Sequence, residues 1–296
     1  MSRRTLAAVV IGVGLIGTGQ AQRSSRFEVV DESTVTRTLS FAASGGRTLD
    51  VRNINGLIRV EGTTESSVQI SIRKVVRAET RDDVADAERD VRLEFRDGTP
   101  RVEAIVVDRN GHICGEPWND REPRRDRVRY DVRYDFTIRV PRDAALRLCT
   151  INGGDLIVSG TQADFDVTNV NGPIDMRGVG GSGRAHTVNG AVSVTFTANP
   201  KQPSSFKTVN GNVDVQFLDG LSADFAMKTM NGGLYTDFDV QALPGQVSAA
   251  GERRNGKFVY RANEFTRVRV GNGGPQLTFE TLNGNVRARR AMGRAQ

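Results

Sequence analysis

The chain has 296 residues, of which 38% are hydrophobic, 6% aromatic and 26% charged, and its formal net charge is +6. This composition excludes a disordered chain, and the length allows one or two domains with a hydrophobic core. The 32 glycines stand mostly beside Asn, Asp or Ser, between stretches of alternating apolar residues. Glycines in these positions are typical of tight turns in a β-rich fold.

The first 21 residues have the pattern of an export signal. Arg3 and Arg4 precede the apolar stretch 6–17, and residues 19–21 (Gly-Gln-Ala) match a small-x-small cleavage site. We therefore predict that residues 1–21 are a signal peptide and that the protein is secreted, periplasmic or at the cell surface. The apolar stretch is shorter than the roughly 20 residues that cross a bilayer, so we expect no transmembrane segment in the mature chain. The paired arginines leave both the general secretory route and twin-arginine export open.

Residues 12–17 also fit the G-x-G-x-x-G fingerprint of dinucleotide-binding proteins. That site requires a helix directly after the last glycine, and segment 18–26 lacks a helical apolar face. The sequence therefore predicts no nucleotide cofactor, and no other cofactor is indicated.

Residues 22–140 are predicted to form a β-rich N-terminal part. The apolar residues of 68–72 and of 128–140 alternate as in half-buried strands, and Pro141 ends the second of these. Segment 93–107 predicts a hairpin around Asp97-Gly98, and segment 82–92 one short helix.

The charged excursion 108–127 interrupts this alternation. It contains Cys114, which with Cys149 is the only cysteine pair of the chain, and an even pair in an exported protein predicts a disulfide. His112 raises a metal site as the alternative, but the chain has only two histidines and no second cysteine pair, so we expect no metal. Trp118, Arg124 and Arg125 are the candidate binding residues of this excursion.

The main signal is a repeated phrase, Thr or Asn, an apolar residue, Asn, Gly, found seven times. The successive asparagine spacings from Asn152 to Asn231 are 19, 18, 21 and 21 residues, which is the range of a repeat array. An apolar residue precedes each copy by two positions, and period-two alternation follows most copies. The asparagines, predicted to be structural corner residues, are Asn55, Asn152, Asn171, Asn189, Asn210, Asn231 and Asn283.

Asn-Gly between alternating strands also favours two-residue hairpins, so a meander of hairpins is one interpretation. The sameness of the copies favours the other, an all-β solenoid or β-helix in which each coil sits on its predecessor and identical Thr and Asn residues stack at one corner. We predict this solenoid over residues 141–289, with a hairpin excursion at 240–275 and a basic tail at 290–296.

These motifs resemble the bacterial "putative adhesin" domains of unknown function. The matching residues are Arg139-Val140-Pro141, the seven corners, and the closing run 273–286, and the resemblance covers roughly 47–289. It implies a β-solenoid at the cell surface or in the periplasm, and it implies no catalytic residues.

Catalytic patterns are weak. Asp164 and Asp166 flank one phenylalanine, Asp237 and Asp239 flank another, and His186 stands where other repeats have lysine. We interpret all of these as outward residues that keep strand faces soluble. The basic residues are not interleaved with aromatic ones on one face, so nucleic acid is not an expected partner.

We therefore predict a non-catalytic, adhesin-like binding protein whose partner is unknown and whose candidates are an envelope polysaccharide or protein. The alternatives are a polysaccharide-active β-helix enzyme, which would bring outward aspartates together in a groove, and a purely structural envelope protein.

Overall fold

The computed structural model describes residues 27–41, 46–97, 100–117, 127–243, 252–254, 257–259 and 265–291. The predicted signal peptide, 1–21, lies outside these ranges. Within them the chain is nearly all β, with two large mixed sheets, as the alternation of apolar residues predicts. The only helix of the described ranges, α1 (Arg81–Asp90), has ten residues, and no described helix has the length and apolarity to cross a membrane.

The first sheet has ten strands. In spatial order they are β1 (Val29–Ser40), β4 (Ser67–Ala78), β7 (Tyr130–Pro141), β3 (Ile58–Thr63), β9 (Leu156–Ser159), β11 (Ile174–Val179), β13 (Val192–Phe196), β15 (Val213–Phe217), β23 (Val286–Arg290) and β17 (Leu234–Thr236).

The second sheet has eleven strands. In spatial order they are β18 (Val240–Ala242), β21 (Thr266–Val270), β16 (Ala223–Asn231), β22 (Gln276–Asn283), β14 (Ser204–Lys207), β12 (Gly183–His186), β10 (Phe165–Asn169), β8 (Ala145–Thr150), β2 (Thr48–Arg52), β6 (Arg101–Val107) and β5 (Arg92–Asp97). A separate pair, β19 (Glu252–Arg254) and β20 (Lys257–Val259), forms the hairpin predicted within 240–275.

The two strands that flank each Asn-Gly step of the array belong to different sheets, and neighbouring array strands within a sheet run parallel. For example, β10 pairs in parallel with β8 and β12, whereas β11 pairs in parallel with β9 and β13. These steps are therefore not hairpin turns, and the meander interpretation is wrong for them. Each step carries the chain from one sheet to the other.

The order of the repeats differs from the prediction that each sits on its predecessor. The last copy, with Asn283, lies between the copies of Asn210 and Asn231, because β22 pairs with β14 on one side and β16 on the other. In the first sheet β23 likewise separates β15 from β17. The expectation of strictly sequential stacking is wrong at this point.

The inner faces of the two sheets enclose one hydrophobic core. Its phenylalanines stack between repeats: the ring centroids of Phe196 and Phe217 are 5.3 Å apart, and those of Phe206 and Phe279 are 5.6 Å apart. All four rings are at most 1% exposed. Burial of such a side chain contributes roughly 2–3 kcal/mol, so neighbouring repeats stabilise one another through these contacts.

Local signals in the N-terminal part are confirmed in kind, with small shifts in position. The helix predicted at 82–92 is α1, whose capping box joins the Thr80 and Asp83 side chains to each other's backbone N–H groups, at 3.2 and 3.0 Å. The hairpin predicted at 93–107 is the antiparallel pair β5–β6. Both large sheets contain strands from either side of the predicted boundary at residue 140.

Candidate functional site

Six of the predicted corner asparagines form one ladder of amide hydrogen bonds. Five bonds join the six residues: from Asn171 onward, the Nδ2 atom of each asparagine donates to the Oδ1 atom of the preceding one at 2.7 or 2.8 Å, and all six residues are exposed. Because neighbouring strands lie about 4.8 Å apart, the ladder offers the same amide at that interval. The spatial order is Asn152, Asn171, Asn189, Asn210, Asn283 and Asn231.

Asn55, the seventh predicted corner residue, is not part of this ladder. Its backbone bridges to that of Asn152, but its side-chain Nδ2 donates to the carbonyl oxygen of Val132 at 3.3 Å. The strand beside it is β7, which has no Asn-Gly step. The ladder therefore begins at Asn152.

A row of apolar side chains runs beside the ladder. The residue before each asparagine is 40% exposed at Val188, 37% at Val209, 40% at Leu282 and 66% at Met230, and half-buried at the two copies before these. Aligned, exposed apolar side chains are uncommon unless they meet a partner. We call these four apolar residues and the six asparagines the corner ridge.

Threonines on the inner side fix the geometry of each corner. The Oγ1 atoms of Thr187, Thr208 and Thr281 donate to a glycine carbonyl of the adjacent repeat at 2.8, 2.8 and 2.9 Å. Asn169 takes this place in one repeat: its Nδ2 donates to Gly154 at 3.0 Å, while its buried Oδ1 has no hydrogen-bond partner. These inner hydrogen bonds hold the ridge residues in line.

The outward aspartates do not converge. Asp175 pairs with Arg177 and Asp214 with Arg289, and Asp166 accepts from Arg184 at 2.7 Å. The other aspartates that flank phenylalanines also have separate partners. The carboxylates of Asp164 and Asp237 accept from the backbone N–H groups of Ser182 and Arg290, both at 2.8 Å, and Asp239 pairs with the Arg290 side chain at 3.2 Å. No group of three or more His, Cys, Asp or Glu that could hold a metal ion occurs in the described part of the chain.

His186 and Ser205 form a contact that a nucleophile and base would need, with 2.8 Å between Nε2 and Oγ. Burial and then the neighbouring Lys207 lower the pKa of the imidazole. Both residues lie on the outer face of the second sheet, in strands whose backbone groups pair with strands on either side. That pairing occupies the backbone N–H groups that an oxyanion site would require, so the geometry favours a hydrogen bond between strands.

The charged excursion is tied to the second sheet. Cys114 and Cys149 form the disulfide predicted from the sequence, with their Cα atoms 5.7 Å apart. The histidine near this bridge, His112, contacts Asp108 through Nδ1 at 3.0 Å. Trp118, Arg124 and Arg125 lie outside the described residues.

A buried ion pair lies beneath this excursion, and sequence reasoning missed it. Arg52 donates to both carboxylate oxygens of Asp50 at 3.0 Å and to Glu116 of the excursion at 2.6 Å. Asp50 is 0% and Arg52 8% exposed. The hydrogen bond to Asp50 raises the pKa of Arg52, against the opposing effect of burial. Residues 50 and 52 flank the inward Val51, so their positions alone predict an outward, solvated face.

A mixed-charge cleft of about 310 Å³ was also not predicted. Its walls are three aspartates of α1, arginines at 109, 127 and 129, and Tyr130. The Tyr130 hydroxyl donates to Asp90 at 2.8 Å, and burial raises the pKa of this phenol. The spacing of Asp83, Asp86 and Asp90 on one helix face is the signal that could have found this cleft.

No family model and no curated protein matches the chain. Several solved structures, including the following three, are similar to it. A "putative cell adhesion protein" from Clostridium sporogenes has 8% identity and a TM-score of 0.40, with 88% of this chain and 100% of that chain covered. A "putative adhesin" from Bacteroides fragilis has 9% identity and a TM-score of 0.36, with 88% and 97% covered.

The third is a "putative lipid binding protein" from Parabacteroides distasonis, with 9% identity and a TM-score of 0.27, covering 86% of this chain and 96% of that chain. At these identities and scores, the likeness carries no argument about function.

Proposed function

We propose that the chain is an exported, non-catalytic binding protein of the adhesin type, and that its repeats form a β-solenoid which presents the corner ridge to a partner. The observation that carries this proposal is the ridge itself, where exposed apolar side chains stand in line beside six hydrogen-bonded asparagines. The six asparagine side chains bond along the row, so the surface is preorganised for binding.

An envelope polysaccharide is the partner class that this surface fits best. The ridge repeats one amide and one apolar side chain at each strand interval, and a polysaccharide repeats hydroxyl groups and C–H faces along its length. Amides can bond the hydroxyls, while aliphatic side chains cover the C–H faces. A protein partner is the other outcome of the test below.

The enzymatic alternative has less support. A polysaccharide-cleaving site needs carboxylates that converge in a cleft with shifted pKa values. The outward aspartates of the repeats instead pair singly with arginines or backbone N–H groups. The three aspartates of the cleft at Tyr130 each have a separate partner as well, namely Thr80 for Asp83, Arg89 for Asp86 and Tyr130 for Asp90. A purely structural role would leave the exposed row of Val188, Val209, Leu282 and Met230 without a partner.

Export is part of the proposal. It is supported by the signal pattern of residues 1–21 and by the Cys114–Cys149 disulfide, because disulfides persist in oxidising compartments. Mass spectrometry of protein recovered from the cell envelope and medium would test it. We expect an N-terminus at Gln22; an N-terminus at residue 1 or 2 would contradict export through cleavage.

The binding proposal is tested by a sedimentation assay with purified envelope polysaccharide and by a glycan array. Val209→Asp places a charge on the ridge and should weaken binding at least tenfold. Leu218→Asp is the matched control, because Leu218 is 38% exposed against 37% for Val209 but lies off the ridge. Equal effects of the two substitutions, or binding to no glycan, would contradict the polysaccharide proposal. Capture of one defined envelope protein, abolished by Val209→Asp, would assign the ridge to a protein partner.

A further inference from the structure

The last repeat, residues 276–290, is inserted between two repeats that are consecutive in sequence. Its strands β22 and β23 separate β14 from β16 in one sheet and β15 from β17 in the other. The register places equivalent residues of the repeats opposite one another, so that Phe279 lies between Phe206 and Met227. We call residues 276–290 the inserted coil and the space between its neighbours the slot.

The charges of the inserted coil match both walls of the slot. Glu280 lies between Lys207, at 3.1 Å, and Lys228, at 3.7 Å. On the other sheet, Arg289 pairs with Asp214 of one wall, and Arg290 contacts Asp239 near the other wall at 3.2 Å. The slot therefore recognises this segment by charge as well as by apolar pattern.

The walls of the slot also match each other. Phe206 and Met227 pair with the same residue of the inserted coil, as do Val213 and Leu234. If the coil leaves, these residues can pair directly and bury part of the exposed apolar surface. Direct pairing sets Lys207 against Lys228 without the intervening Glu280, and this repulsion favours refilling the slot. Direct pairing of the walls would offset part of the cost of the coil's departure, and the repulsion between the lysines would favour the return of a coil to the slot.

The connection to the inserted coil has the composition of a hinge. Residues 271–275 read Gly-Asn-Gly-Gly-Pro, and the three glycines have φ of 57°, 76° and 156°. Five residues reach at most about 17 Å, which is sufficient to direct the coil into an adjacent molecule. Glycines at positive φ can adopt other backbone angles without steric cost.

We infer that the slot binds the inserted coil of a second copy of this chain, so that two molecules exchange residues 276–290 and form a domain-swapped dimer. The exchanged dimer keeps every contact of the slot, and only the hinge changes conformation. Such exchange is a low-cost route to self-association. This assembly would join two corner ridges in one particle, but it does not depend on what the ridges bind.

The test uses the full chain with a pair of cysteines that report which molecule fills the slot. Ser205 and Thr278 are Cα partners on adjacent parallel strands, so S205C/T278C can form a disulfide. The protein is concentrated to the millimolar range, warmed to just below its melting temperature, cooled, oxidised and run on a non-reducing SDS gel. We expect a covalent dimer, since a swapped coil places the two cysteines in different chains.

The control pair is T195C/Q216C, which joins β13 to β15 within one molecule whether or not the coil is exchanged. On the denaturing gel this variant should run as a monomer, because its disulfide lies within one chain. Size-exclusion chromatography of the same sample, under native conditions, should still show the dimer. Deletion of Gly273 and Gly274 shortens the hinge and should raise the dimer fraction several-fold. The inference is overturned if S205C/T278C bridges only within one chain after this treatment, or if both cysteine pairs bridge between chains.

Discussion

The buried ion pair under the charged excursion makes the sharpest prediction about stability. Asp50→Asn keeps the size of the side chain but removes the charge that compensates Arg52, which is 8% exposed. Asp50 receives two hydrogen bonds of 3.0 Å from the guanidinium, and Arg147 lies 3.9 Å away. After the substitution Arg52 keeps only Glu116, at 2.6 Å, as a carboxylate partner.

Removal of one partner from a buried ion pair costs about 3–5 kcal/mol, because the remaining charge stays buried without compensation. Glu116 remains in contact but is 51% exposed, so its charge is partly screened by solvent. We therefore expect a loss near 3 kcal/mol in the free energy of unfolding. With a urea m-value of about 3 kcal/mol/M, the midpoint should fall by about 1 M.

Urea unfolding followed by circular dichroism measures this shift. Glu116→Gln is the control, because loss of a half-exposed partner should cost less than about 1 kcal/mol. A double variant, Asp50→Leu with Arg52→Met, should be more stable than Asp50→Asn, since it leaves no uncompensated cation. If Asp50→Asn shifts the midpoint no further than Glu116→Gln, the pair is not buried as described and the reasoning fails.

Three further predictions concern the same scaffold. Replacing Cys114 and Cys149 together by serine should cost about 4 kcal/mol, from the chain entropy of a loop with a sequence separation of 35, and a thermal melt compared with wild type would show it. Asn169→Thr should raise the free energy of unfolding by about 1 kcal/mol, because it removes the buried Oδ1 that has no partner, while a threonine Oγ1 can donate to the carbonyl oxygen of Gly154. The urea midpoint should therefore rise, and a lower midpoint would contradict this. Burial raises the pKa of Tyr134 from 10.0 to about 12, so the unfolded chain loses this proton first and stability should fall as pH rises from 10 to 12; Tyr134→Phe should reduce that fall, and an unchanged pH profile would refute it.

The candidate site could be predicted in part from the sequence. The Thr-apolar-Asn-Gly phrase marks every residue of the corner ridge, because each copy has the same local role. The buried Asp50–Arg52 pair could not be predicted in the same way, since its burial depends on Glu116 and the excursion, which lie far away in the chain. For the cleft at Tyr130, the spacing of the α1 aspartates marks one wall, but the contact of Asp90 with Tyr130 joins distant segments. An outward residue becomes buried only when a distant excursion covers it.

Local chemistry, which the sequence encodes directly, determined the strands, the β5–β6 hairpin, the capped helix α1 and the positions of the Asn-Gly steps. Tertiary structure alone decided the order of the repeats and placed the copy of Asn283 beside that of Asn210. The physical reason is that the repeats share one apolar pattern, so any two of them can pair in register and local signals cannot rank the pairings. Contacts between distant residues, such as Glu280 between Lys207 and Lys228, distinguish one order from another.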